Sequence, residues 1–265
     1  MRRLLAAGLL GLALVAHAEE PGQSEREHEH VAPDPPATPV HEMPYREMTA
    51  MMGMDDRSRV GKIMLDRVEW QDADAGSTFE WDAAAWYGGD FNKLRLETEG
   101  ERVDGETRTA RVEWLVDHIV SRWWSVRAGA REDFGVGPNR TWAGAGFAGT
   151  APGMIDVEAM FYVGEGGRTA LRLTTEYDLL VTQRLVLQPE AELDAYGRDD
   201  DERAIGAGFS DLRIGLRLRY ELKREFAPYV GVRWNSRLGR SADLVRDVGD
   251  DASELVWVAG LRAWF

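Results

Sequence analysis

The last twelve residues, 254–265, read E-L-V-W-V-A-G-L-R-A-W-F. Leu255, Trp257, Ala259, Leu261, Ala263 and Phe265 share one parity, while Gly260 and Arg262 fall on the other. Successive side chains of a strand point to opposite faces, so this two-residue repeat marks a strand with one apolar face. The repeat reaches the carboxyl terminus without fading, although chain ends fray unless a sheet holds them. The segment therefore reads as the closing stave of an all-β fold, a transmembrane antiparallel up-and-down β-barrel.

Upstream stretches repeat the pattern. In 107–117, Ala110, Val112, Trp114 and Val116 oppose Arg111, Glu113 and Asp117; in 208–221, Leu212, Ile214, Leu216, Leu218 and Tyr220 oppose Arg213, Arg217, Arg219 and Glu221. Twelve strands are predicted: 62–70, 77–87, 91–98, 107–117, 122–132, 141–149, 154–163, 169–178, 183–195, 208–221, 226–235 and 254–265. Short intervals such as 88–90, 118–121 and 150–153 alternate with longer ones such as 99–106, 196–207 and 236–253. That alternation suits a barrel with tight periplasmic turns and longer external loops, and a Greek-key sandwich has no reason to show it. Aromatics near strand ends, among them Trp70, Trp86, Tyr87, Trp123, Trp142, Tyr229, Trp234 and Trp264, suit the lipid headgroup level.

Three places strain the pattern. Ile63 and Leu65 share one parity but Val68 and Trp70 take the other; 141–149 is rich in alanine and glycine; and Pro189 predicts a bulge or break in its strand. Hydrocarbon cannot satisfy free backbone groups, so the final strand must nevertheless pair with the first.

The amino-terminal region differs. Arg2 and Arg3 precede an apolar run over residues 4–15 and Ala16-His17-Ala18. This reads as a secretory signal peptide over 1–18, too short to span a bilayer. Its removal shifts the net charge from −14 to about −16, with two arginines and no acids lost. No basic footprint for nucleic acid exists, and the absence of cysteine excludes disulfides and thiolate chemistry. Residues 19–60 hold most of the prolines and read as a disordered tail, followed by the barrel over 61–265.

Five segments, 135–144 (G-V-G-P-N-R-T-W-A-G), 162–173, 177–189, 210–221 and 224–232, resemble the copper-resistance protein B family. The resemblance spans residues 60–265. It implies an outer-membrane barrel of a Gram-negative bacterium, a role in copper resistance, and a Met- and His-rich extension facing the periplasm. A periplasmic copper oxidase or chaperone is the partner class it implies; outer-membrane lipid and copper ions are the others.

Candidate metal ligands follow from ligand softness. Met43, Met48, Met51, Met52 and Met54 fall within twelve residues, with His41 beside them and His28 and His30 upstream. Thioethers suit Cu(I) and imidazoles accept Cu(II). The alternative for Met48, Met51 and Met52 is a short amphipathic helix used for packing. Within the barrel, inward Glu80, Asp82, Glu113, Arg127, Arg172, Glu190, Glu192, Arg217, Arg233 and Arg262 predict a salt-bridged lumen or a cation path. Met160 shares the inward parity, and His118, the sole barrel histidine, is placed in a short turn; both are candidate copper ligands. The expected function is capture of copper by the tail, with sequestration or export to follow. A generic porin is the alternative. A hydrolase built on His118 and Ser121 lacks an oxyanion motif, so no enzyme is expected.

Overall fold

The computed structural model describes residues 44–52, 58–73 and 76–265. Twelve antiparallel staves form the barrel: β1 (Val60–Ala73), β2 (Gly76–Gly88), β3 (Asn92–Val103), β4 (Glu106–Ile119), β5 (Trp124–Gly135), β6 (Arg140–Ala151), β7 (Ile155–Gly164), β8 (Thr169–Tyr177, resuming at Leu179–Leu180), β9 (Leu185–Tyr196), β10 (Gly208–Tyr220), β11 (Phe226–Arg237) and β12 (Ser253–Trp264). Each pairs with its successor, and β12 pairs back with β1 from Met64↔Trp264 to Asp72↔Trp257. Closure extends to the final residue. Ile63 and Phe265 exchange two backbone hydrogen bonds, at 3.0 and 2.8 Å. A sheet so joined presents no free edge to lipid.

The parity change in 62–70 has a local cause. Register shifts at Leu65/Arg67 against β2 and at Leu65/Val68 against β12 mark a β-bulge. The extra residue flips the alternation, so Ile63 and Trp70 both face outward although their parities differ. Pro189 produces a break without a bulge. Its pairing to Leu216 is regular, but on the other side the ladder lapses opposite Tyr177 and Asp178, where β8 is interrupted.

Loop lengths depart from expectation. The intervals expected to be long at 71–76 and 99–106 contract to 74–75 and Asp104–Gly105, because the strands continue. Asp104 and Gly105 both adopt positive φ, as a two-residue hairpin turn of matching twist requires. Glu99 and Glu101 resemble loop residues in sequence because barrel lumens are charged. Excess length is confined to 197–207 and 238–252, the latter holding the helix α2 (Gly239–Asp247).

Polarity is inverted relative to a water-soluble protein. Glu69 is 0% exposed and Arg217 2%, while Trp257 is 74% exposed on the outer face. Trp142 and Tyr229, expected at the headgroup level, are instead buried inside, where Trp142 Nε1 donates to Asp133 (2.9 Å) and Tyr229 OH to Glu69 (3.1 Å). An indole or phenol that can satisfy its polar atom is stable in the lumen.

Leu115, Trp142, Met160, Tyr162 and Ala170 form a buried apolar cluster. The alanine- and glycine-rich β6 makes room for it. A Cβ on Gly146 would collide with the Ala159 carbonyl and come within 2.5 Å of the Met160 sulfur. Gly146→Val is therefore expected to destabilise the barrel by about 1–3 kcal/mol through overpacking, read as a lower unfolding midpoint in urea.

Residues 1–55 and 56–265 are separate compact units. In the first, the helix α1 (Tyr45–Met51) starts at Pro44, whose carbonyl accepts the N–H groups of Glu47 (2.9 Å) and Met48 (3.1 Å). Residues 45–51 are therefore helical, whatever their side chains contact.

Candidate functional site

The lumen contains a cavity of about 200 Å³, lined by nine carboxylates and five guanidiniums. Arginines bridge carboxylates across strands. Arg67 joins Asp82 to Glu190; Arg217 joins Glu190 (2.7 Å) to Glu69 (2.6 Å). Arg233 pairs with Glu80, which also accepts from Gln71 (3.0 Å). Arg172 spans Glu99 (3.1 Å) and Glu192, and Arg127 spans Asp117 (3.3 Å) and Glu158. Buried charges are tolerated when paired; each of these has an oppositely charged partner, although Glu69 Oε2, Arg217 Nη2 and Arg233 Nε make no hydrogen bond of their own. Because carboxylates outnumber guanidiniums around the cavity, the lining favours cations over anions. Among the described residues, no three His, Asp or Glu side chains are grouped to hold a metal ion.

The two ends of the barrel differ. The start of β1 and the end of β12 lie with the turns 89–91, 120–123, 152–154, 181–184 and 221–225. At the opposite end, loop 197–207 folds over the lumen. Arg140 donates to both Asp200 oxygens (2.8 and 2.9 Å) and to Glu202 (2.9 Å). Arg203 donates to the carbonyls of Pro138 (2.8 Å) and Phe134 (3.2 Å), and Arg198 to that of Gly166 (2.7 Å). Beneath lies a void of about 10 Å³ between Trp142 and Tyr196 below and Asp200, Arg203 and Ile205 above, too small for more than about one water. Ser241 of α2 backs the loop, its Oγ accepting the Gly206 N–H at 2.8 Å. The Arg140 guanidinium bonded to Asp200 holds that carboxyl below the usual range.

The candidate ligands are distributed unevenly. Met48 and Met51 lie in α1, and the Met52 N–H donates to the Met48 carbonyl (3.0 Å), extending the turn. Their spacing i, i+3, i+4 places the three on one helix face. Met51 and Met52 are 49% and 48% exposed. Met43, Met54, His28, His30 and His41 lie outside the described residues. Met160 faces inward but is packed in the apolar cluster. His118 belongs to β4 rather than to a turn; it is exposed on the outward parity, with Nδ1 2.7 Å from Asn92 Oδ1. Ser121 Oγ accepts the N–H of Trp124 (3.1 Å) and so caps its turn.

Sequence reasoning missed Arg67, Glu69, Glu99 and Asp133. The parity switch at Leu65/Val68 was the available signal for the first two, since a bulge there turns Arg67 and Glu69 inward. Nothing local marks the others apart from their charge.

The family profile described as Copper resistance protein B precursor (CopB) matches residues 59–265. The chain is 42% identical to the Copper resistance protein B homolog of Pseudomonas syringae pv. tomato over 262 residues, 98% of this chain and 89% of that one. It is 45% identical to Copper resistance protein B of Escherichia coli over 203 residues, 77% of this chain and 69% of that one. Among solved structures, the NanC porin superposes with a TM-score of 0.50 at 13% identity, covering 77% of this chain and 99% of that one, a likeness of fold alone. With the barrel, its charged lumen and the match along almost every stave in agreement, the chain belongs to the copper resistance protein B family.

Proposed function

We propose that this outer-membrane barrel contributes to copper resistance by capturing copper through thioethers on its amino-terminal side. The observation that carries the reading is the exposed Met51 and Met52 beside Met48 on one helical face. Thioethers of this kind select Cu(I) over the harder ions of the envelope. Met43 and Met54 flank the helix and His41, His28 and His30 precede it, adding donors for either oxidation state.

The start of β1, which follows the tail, and the end of β12 share an end with the five short turns, and short turns in outer-membrane barrels are periplasmic. The tail accordingly meets copper on the periplasmic side, where a copper oxidase or chaperone is the partner class suited to load or unload it. The role is binding and transfer, without catalysis. The carboxylate-rich lumen supports a cation as cargo.

The test uses the mature full-length protein in detergent. Replacing Met43, Met48, Met51, Met52 and Met54 with serine is expected to remove most Cu(I) binding, measured by competition with a chromophoric chelator. Unchanged stoichiometry would sink the reading. Cell-associated copper then fixes direction: sequestration raises it relative to cells without the protein, and export lowers it.

A further inference from the structure

The mouth of the barrel at the end where β1 begins and β12 finishes carries chemistry unlike the rest of the lumen. Ahead of the bulge, β1 turns Lys62 and Met64 inward, opposite in parity to the exposed Ile63, and Asp66, the unpaired residue of the bulge, also faces the lumen. Met64 stands directly across from Trp264 on β12 and from Ala84 on β2. Directly opposed residues hold their Cβ atoms about 4.5–5.5 Å apart, so the thioether has an indole on one side and a bare methyl on the other. Trp86 lies opposite Lys62, one inward position nearer the end.

Both indoles already hold cations. Lys62 Nζ lies 4.6 Å from the Trp264 ring centroid, and Lys93 Nζ 5.0 Å from that of Trp86. The Trp264 ring is fixed, since its Nε1 donates to the Arg224 carbonyl at 2.8 Å. Arg262 Nη2 approaches the Met64 sulfur at 4.0 Å while its Nε pairs with Asp66 at 2.9 Å. The thioether and the ring face beside it are thus each addressed by a side-chain cation, Arg262 and Lys62 respectively.

We infer that Met64, the Trp264 ring face and the Asp66 carboxylate form a site for a soft monovalent cation at the barrel mouth, which displaces the Lys62 ammonium from the indole and the Arg262 Nη2 from the thioether. A thioether offers a neutral polarizable donor, and an indole face attracts a cation without demanding that it be small and hard. A divalent ion that prefers oxygen donors gains little from either. Asp66 also lines the lumen cavity, so an ion held here stands at its threshold. The inference rests on the reading of copper as cargo, and adds a position in the barrel independent of the tail.

The experiment follows Ag(I), a soft monovalent probe, by tryptophan fluorescence of the full-length mature protein in detergent. Wild type is expected to respond saturably, and Zn(II) to leave the signal unchanged. Met64→Leu, which conserves volume, and Trp264→Phe are each expected to weaken the response about tenfold. Lys62→Gln, which frees the ring face, is expected to tighten it several-fold. The response should persist when the five tail methionines are serine. A response that survives Met64→Leu, is matched by Zn(II), or vanishes with the tail methionines overturns the site. The last outcome would leave tail capture standing. Loss of the response in Met64→Leu, together with unchanged Cu(I) binding in the tail variant, would instead uphold the site and sink tail capture.

Discussion

Glu69→Ala is expected to destabilise the barrel by about 3–5 kcal/mol, the range for removing one partner of a buried ion pair. Glu69 is wholly buried on β1, and its Oε1 accepts from Arg217 Nε of β10 (2.6 Å) and Tyr229 OH of β11 (3.1 Å). Its Oε2 faces Arg233 Nη1 at 3.6 Å. These contacts clamp strands on both sides of β12 from within, beside the seam where the sheet closes. Alanine would leave Arg217 bound only to Glu190 and would orphan the Tyr229 hydroxyl. Glu69→Gln, which keeps an acceptor oxygen, should cost less. The temperature at which the compact form is lost on a denaturing gel reports both variants. A Glu69→Ala midpoint equal to wild type would show that the clamp does not hold the seam.

Unlatching loop 197–207 is expected to produce the largest functional change. Arg140→Ala combined with Arg203→Ala removes the bonds to Asp200 and Glu202 and to the carbonyls of Phe134 and Pro138. With those gone, the loop keeps the Arg198 bond to the Gly166 carbonyl, the Arg168–Asp200 pair (3.5 Å) and the Gly206–Ser241 bond, a weaker hold above Trp142 and Tyr196. Single-channel conductance in a planar bilayer should rise several-fold, with cations favoured by the carboxylate-rich cavity below. Conductance indistinguishable from wild type would mean that the constriction lies elsewhere. The wild-type latch has a defined pH response. Asp200 is held below the ordinary carboxylate value of about 3.9, so its contribution is complete above that value and is lost only as pH falls through the lowered one. Conductance should accordingly stay low through neutral and mildly acidic solution.

Much of the barrel was legible because its signals are local. Alternation in 107–117 and 208–221 reports which face of each strand meets lipid, and this requires no knowledge of neighbours. Glu99 and Asp133 were missed because a lumen carboxylate and a loop carboxylate look alike until a guanidinium is placed opposite. Loop lengths misled for the same reason: charged strand ends beyond the apolar band read as loops. His118 was assigned to a turn because the strand end was drawn two residues early, at 117 rather than Ile119. Trp142 and Tyr229 matched the girdle pattern, and only their bonds to Asp133 and Glu69 reveal them as lumen residues.

The sequence by itself determined that the chain closes through residues 254–265, that its staves are apolar outside and ionic inside, and that methionines are concentrated before the first of them. Only the tertiary structure decided the bulge at Leu65–Arg67, the partner of each charge, the loop that closes the far mouth, and the meeting of Met64 with Trp264. The physical reason is range. Side-chain periodicity is set by the backbone two residues at a time, whereas Glu69 and Tyr229 lie 160 positions apart and meet only when the barrel closes.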